Sequence, residues 1–491
     1  MNNKNQSKNN FEGEKSKDHA VASNSLIAKY FGFSKLNTTF KKEIIGGIST
    51  LLSMIYILSV EPSILGNAHS INDESIKMNV SGIFLATAIM SFLATFVMGM
   101  LANVPIALAP SMGVNAMFTF TVANSSNGVG YEGALIATCI SGLLFCIISA
   151  TKLRKIIIKS LPKSLHLAIG VGIGFFVAYV GVANIGWVQK TEGGLPIAEL
   201  GDFKKYYPAI ILGTVVLFAA IFLNFKKFFA PVAVVMVIGF IIAVILANTI
   251  NDQAIINSFG SAKWDSSAWN YGKLFEGFAF NISSTWKEIG NVDIWSNPTM
   301  YISIFVFVIL TFFDATGTIT AVNVEISRES GIETEIPHKA LLVDGVSSVT
   351  GSVIGVSSVA CYAESCVGVS QGARTGFASI ITSLGLLLSI AIFPIFQMMP
   401  SCITGAATVF IGTVMIKSIT SIEWDKPEMG LAAFFAILFM IITYNIANGI
   451  ALTIMAYTVG SLATGKAKQI TPVVWVLNIV FIAYFIANAF M

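Results

Sequence analysis

Charge is scarce in this chain. Only 11% of its 491 residues are Asp, Glu, Lys or Arg, against 55% hydrophobic, and the mean hydropathy is +0.77. An ordinary soluble domain carries roughly 25% charged residues. A chain this long and this poorly charged cannot cover a water-facing surface, so its solvent is largely lipid. Alternating polarity is missing too. The apolar runs are continuous, which excludes a β-barrel with its alternating strands and calls for a helical bundle. The five cysteines (Cys139, Cys146, Cys361, Cys366, Cys402) have no CxxC spacing and lie in or beside apolar runs. That argues against a disulfide framework or zinc site and for small packing residues. The first twenty residues lack an apolar h-region, so no cleaved signal peptide is expected. Residues 1–37 read as a disordered cytoplasmic tail. No nucleophile–base signature appears, which argues against an enzyme, and nothing points to nucleic acid or to a bound cofactor. Gly460–Ala467 mimics a P-loop but has Ala467 where Ser or Thr must bind magnesium. His166 and His338 flank spans without a partner pattern for metal.

Apolar runs fill most of the chain. A spanning helix needs roughly 20 apolar residues, and runs of that order fall near 44–60, 82–102, 105–122, 132–150, 165–188, 208–224 and 228–249. A polar, Trp-rich stretch follows at 251–298, and further runs lie near 299–322, 340–356, 357–372, 375–397, 401–416, 429–443, 446–462 and 471–490. The organisation expected is a first seven-helix repeat over 38–250 and a second over 299–463, about fourteen transmembrane helices in all. Trp264, Trp269, Trp286 and Trp295 make 251–298 an amphipathic connector at the membrane interface. Basic residues stay cytoplasmic. Lys152, Arg154, Lys155, Lys159 and Lys163, then Lys226 and Lys227, and later Lys466 and Lys468 therefore put the N-terminus inside and the connector outside. The segment 464–491 is an added hydrophobic element whose topology the sequence leaves open.

Seven is odd, so two such halves start on opposite sides of the membrane and form an inverted repeat if they share a fold. The site is then expected at the midplane between interrupted helices. Matching interruptions exist. Span 3 contains Pro105, Pro110 and Gly113, and span 10 contains Gly355, Ser357, Ser358 and Gly368. Each reads as an extended stretch leading into a half-helix, because Pro removes an amide and Gly and Ser loosen the ladder. Such backbone survives at membrane depth only where it lines protein or a cavity.

Acids buried in lipid are rare and usually functional. Asp314, Asp344 and Glu364 stand out, while Glu61, at the end of the first run, reads as interfacial. Burial favours the neutral form of a carboxyl group, and no basic residue lies in the apolar part of these spans. That favours proton exchange over a permanent ion pair. A sodium site built on Thr316, Thr318 and Ser365 is the alternative.

Five strings now resemble one family. IALAPSMGVNAMFTF, LPKSLHLAIGVGIGFF, FFDATGTITAV, KALLVDGVSSVTGSVIG and CYAESCVGVSQGARTG look like the AzgA-type guanine/hypoxanthine/adenine permeases of the nucleobase–cation symporter-2 group. The match runs in order from about residue 38 onward. The resemblance implies an all-α, uracil-carrier-like fold in which spans 1–4 and 8–11 form a core and spans 5–7 and 12–14 a gate. It implies purine binding by Asn115, Asp314 and Glu364, and a place for Asp344 in the proton path. Two departures, Ser111 after Pro110 and Ala315 after Asp314, bear on the choice among purines. The residue chemistry agrees. A carboxylate accepts paired N–H bonds, Asn donates and accepts, and Phe118, Phe313 or Tyr362 offers a ring for stacking.

The function expected is secondary active uptake of hypoxanthine, guanine or adenine by proton symport with alternating access, in a multi-pass protein of the cell membrane. A carrier of uracil, xanthine or another anion, or sodium coupling, stays open. So does the choice between monomer and homodimer. The richness in Asn, Lys and Ile points to an AT-rich, bacterial genome.

Overall fold

A computed structural model describes residues 25–490 apart from 125–127, 152–161, 191–197, 227, 229, 265–268 and 333–336. The apolar runs form helices, and some of them start where a side chain satisfies a free amide. Thr39 caps α1 (Phe40–Leu65), which bends between Met54 and Ile57, and Asn79 caps α2 (Val80–Ala102). The third span is broken as expected. A strand, β1 (Leu108–Pro110), turns into α3 (Met112–Ala123), whose second half winds wider than an α-helix. Four spans follow: α4 (Gly130–Ala150), α5 (Lys163–Ile185), α6 (Phe203–Phe225), kinked at Tyr206, and α7 (Pro231–Thr249).

The second half repeats this order. It consists of α8 (Pro298–Ser330), α9 (His338–Val353), β2 (Val359–Cys361), α10 (Ser365–Ser370), α11 (Gly376–Leu388), α12 (Ser401–Ile416), α13 (Pro427–Ile442) and α14 (Ile446–Ala463). An added helix, α15 (Pro472–Phe490), packs on α14 and α8, with Asn478 Nδ2 donating to Thr458 Oγ1 at 2.8 Å.

The packing itself carries the repeat. When elements of the first half are shifted by seven, many of their main neighbours recur. Thus α1 on α11 answers to α8 on α4, α2 on α11 to α9 on α4, and β1 on α2 to β2 on α9. Likewise α5 on α13 answers to α12 on α6, and α6 on α7 to α13 on α14. The inverted relation shows at the centre, where β1 and β2 pair antiparallel, Leu108 opposite Cys361 and Pro110 opposite Val359. Two bodies result. The core holds α1–α4 with α8–α11, and the gate holds α5–α7 with α12–α14. Phe218, Phe222, Ile241 and Leu388 lie exposed on the outside. So large an apolar skin suits lipid rather than water.

Contacts at the two ends agree with this alternation. At one end Glu43, at the start of α1, accepts from Arg374 N at 2.9 Å just before α11. At the same end Ser164, entering α5, donates to Glu423 beyond α12 at 3.0 Å. At the other end the helix Tyr271–Lys287 clips to the start of α2 and the end of α9. Asn281 Nδ2 donates to Asn79 O at 3.0 Å, and Trp286 Nε1 to Val353 O at 2.9 Å. The connector at 251–298 is therefore docked on the core along this helix, more than an interfacial ribbon.

The expected tail needs correction as well. Residues 1–24 lie outside the described residues, but Leu26–Phe31 is helical. Phe31 and Phe33 are buried against Phe40 and Phe377. Apolar burial orders residues 25–37, where a polar composition had set the expectation. Most of the basic loop carrying Lys152 to Lys159 also lies outside the described residues.

Candidate functional site at the crossing of the broken helices

The crossing is assembled backbone first. Beyond the strand pair, Ser111 N donates to Ser358 O at 2.9 Å and Tyr362 N to Ala107 O at 2.9 Å. Hydroxyls satisfy what remains. Leu108 N donates to Thr95 Oγ1 at 2.9 Å, Ala107 N to Ser365 Oγ at 3.0 Å, and Ser348 Oγ to Val359 O at 2.8 Å. Thr95 comes from α2 and Ser348 from α9, equivalent spans of the two halves. Hydroxyls of α2, α9 and α10 thus pair backbone groups that the breaks leave free, as burial demands.

Asp314 stands at the middle of α8, the seventeenth of its 33 residues and roughly 24 Å along its axis at 1.5 Å per residue. Its Oδ2 accepts from Ser111 Oγ at 2.8 Å, which ties it to the start of α3. The side chain is nevertheless exposed, so open space adjoins it at membrane depth. Glu364, half-buried at the entry to α10, accepts a short hydrogen bond from Tyr56 OH of α1. Its carboxylate makes no capping hydrogen bond to the amides of α10. That half-helix has only six residues and no side-chain cap. Among the described residues neither acid has a Lys or Arg partner. They interact electrostatically with each other and with Tyr362.

The remaining expected residues are placed as follows. Asn115 is fully buried with both ends of its amide engaged. Nδ2 donates to Glu61, and Oδ1 accepts from Ser357 Oγ. Tyr362 is 6% exposed and ties β2 to β1 by donating to Pro110 O at 2.5 Å. Phe118 is wholly buried in the apolar core, so its ring is not open to a ligand in this conformation. The side chain of Phe313 lies outside the described ones. Asp344 is buried beneath the crossing, where Oδ1 accepts from Cys361 N at 2.8 Å and Oδ2 has no hydrogen-bond partner. It interacts with Asp314 electrostatically. Of the oxygens considered for sodium, Ser365 Oγ is occupied by Ala107 N.

Three residues at the site escaped the sequence reading in this role. Tyr56 was one more aromatic in an apolar run. Ser111 was noted only as a departure from a motif. Glu61 is not interfacial but 0% exposed. The helix containing it runs on to Leu65 through Pro62, so the span ends later than the apolar run does.

The Permease family model matches residues 41–452. Guanine/hypoxanthine permease PbuG of Bacillus subtilis is 34% identical over 463 residues, covering 93% of this chain and 99% of its own. Adenine permease AdeP of Escherichia coli is 29% identical over 464 residues, covering 93% and 95%. Among solved structures, the transmembrane domain of a cyanobacterial bicarbonate transporter, BicA, superposes with a TM-score of 0.53. It covers 84% of this chain and 97% of its own at 15% identity, a likeness of fold alone.

Proposed function

This chain belongs to the Permease family of membrane transporters, and on that premise we propose that it takes up purine nucleobases by proton symport. The observation that carries the reading is the meeting of Asp314 and Glu364 at the crossing. Each is held by one hydroxyl, from Ser111 and from Tyr56, and each keeps acceptor capacity to spare. A purine edge presents ring N–H and exocyclic groups in one plane, and carboxylates accept such donors. Hydrogen bonds to a charged group are worth about 1.5–3 kcal/mol each, enough for two to fix the base. The similarity to guanine/hypoxanthine and adenine permeases supports the same class of substrate.

Proton coupling rests on the absence of a basic partner for these acids among the described residues. Asp344, whose second oxygen has no hydrogen-bond partner, extends the acid series below the site. Alternating access rests on the two bodies, with the core carrying the crossing past the gate. The basic residues of the loops favour a cytoplasmic N-terminus, in keeping with a protein of the cell membrane.

The test is uptake of labelled hypoxanthine, guanine, adenine, xanthine and uracil into cells that lack their own carriers. Uptake of at least one of the first three, abolished by a protonophore, is expected. Transport confined to uracil or xanthine, or driven by Na⁺ and indifferent to protonophore, would overturn the reading.

A further inference from the structure

Glu61 is an acid that the proposed purine site does not use. It lies in the second segment of α1, Ile57–Leu65, and is 0% exposed. Its Oε2 accepts from Asn115 Nδ2, and Asn115 in turn accepts from Ser357 Oγ beside β2. Its Oε1 has no hydrogen-bond partner. Among the described residues this carboxyl group has no ion-pair partner. The segment packs against α2, β1, α3, α12 and the turn Phe393–Gln397, and none of these contains an Asp, Glu, Lys, Arg or His. Their titratable groups reduce to the thiol of Cys402 on α12. From the site itself, Tyr362 interacts with Glu61 electrostatically and could not neutralise an anion.

Burying an unpaired carboxylate is costly, and such a group stays neutral instead. The position of Glu61 supplies the means of discharge. It belongs to the core, but one of the helices covering it, α12, belongs to the gate. Sliding the core past the gate changes that cover, while Asn115 and Ser357 keep Glu61 joined to the crossing where the base binds.

We propose that Glu61 carries a transported proton of its own, taken up and released as the α12 cover over it shifts, in addition to the proton carried at Asp314 and Glu364. This rests on the purine-symport reading. The chemistry balances without another reactant: one proton joins Glu61 Oε1 on one side of the membrane and leaves it on the other. Asn115 serves as a positioning residue through its bond to Oε2.

The experiment uses the full chain in liposomes. Exchange of internal unlabelled for external labelled hypoxanthine is measured without a gradient, and accumulation is measured under an imposed pH gradient. Each proton carried per base multiplies the limiting accumulation by about ten for every pH unit of gradient. Glu61→Gln, which keeps an acceptor for Asn115 but holds no exchangeable proton, is expected to exchange hypoxanthine and to lose about one such factor of ten. Glu61→Asn, the smaller neutral variant, is measured in its place if the Gln protein is not monodisperse.

Accumulation at the wild-type level by a neutral variant would overturn the proposal and leave Glu61 a hydrogen-bonding group. A monodisperse variant that neither exchanges nor accumulates would also overturn it, assigning Glu61 to base binding or to the fold. The premise fails separately. Wild type that does not exchange hypoxanthine is no purine carrier. Wild type that exchanges but gains nothing from the pH gradient is not proton-coupled, and the Glu61 proton falls with it.

Discussion

At the scale of single residues, the two acids of the crossing differ in what holds them. Ser111 reaches Asp314 from the start of α3, whereas Tyr56 reaches Glu364 from the bend of α1. Asp314→Asn keeps an acceptor for Ser111 but cannot carry a proton. It should therefore cut the limiting accumulation of hypoxanthine by at least about tenfold under a one-unit pH gradient, measured in liposomes. Undiminished accumulation would remove Asp314 from the coupling step. Asp314, Glu364 and Asn115 were legible because a charge or a primary amide inside an apolar run, beside Pro, Gly and Ser, is costly to bury and is seldom kept without a use. Tyr56 was not legible, since a tyrosine in an apolar span is ordinary and only the fold reveals which carboxylate it meets. Glu61 was misjudged because the end of an apolar run marks where lipid contact ends, whereas the helix continues into protein. Asn115 does lie at the crossing, but its amide is spent on Glu61 and Ser357 rather than left open.

At the scale of elements, close helix contacts decide which glycines matter. The GVGIG string at Gly170–Gly174 is in part a close-packing stripe. A Cβ at Gly172 would sit 3.0 Å from the backbone of Ala436, and one at Gly174 would sit 3.3 Å from Gly412 O, whereas Gly170 faces open space. At the core, a Cβ on Gly376 would overlap the backbone of Gly99, where α11 meets the end of α2. Gly376→Ala should destabilise the purified protein by about 1–3 kcal/mol, the usual cost of overpacking, and lower its melting temperature in detergent. Gly170→Ala should leave that temperature unchanged or raise it, since Gly in a helix interior costs roughly 0.5–1 kcal/mol relative to Ala. Equal effects from the two substitutions would contradict the packing described here. The strand pairing of β1 with β2 was legible only as two extended pieces. Their register depends on contacts between residues far apart in the chain, such as Leu108 with Cys361, which no local pattern encodes.

At the scale of the whole molecule, hydropathy and an odd span count were enough to reach the inverted repeat, because lipid demands helices and seven spans reverse direction. The docking of Tyr271–Lys287 and the burial of Phe31 and Phe33 were beyond reach, since each depends on a surface formed only by the folded core. Transport by relative movement of core and gate makes a direct demand on their interface. A Cβ built on Gly113 of α3 lies 3.2 Å from Ile173 Cγ2 of α5, close enough for a disulfide after small adjustment. With the five native cysteines replaced, Gly113→Cys combined with Ile173→Cys should lose uptake on oxidation and regain it with reductant. Full uptake by verified cross-linked protein would rule out that movement. The claim on which everything else depends is that the base binds between Asp314 and Glu364. It is tested most directly by equilibrium binding of hypoxanthine to the purified protein and to Glu364→Gln. A mismatched buried donor costs roughly 1–3 kcal/mol, so affinity should fall by about 5- to 150-fold. Unchanged affinity would contradict the account and place the base elsewhere.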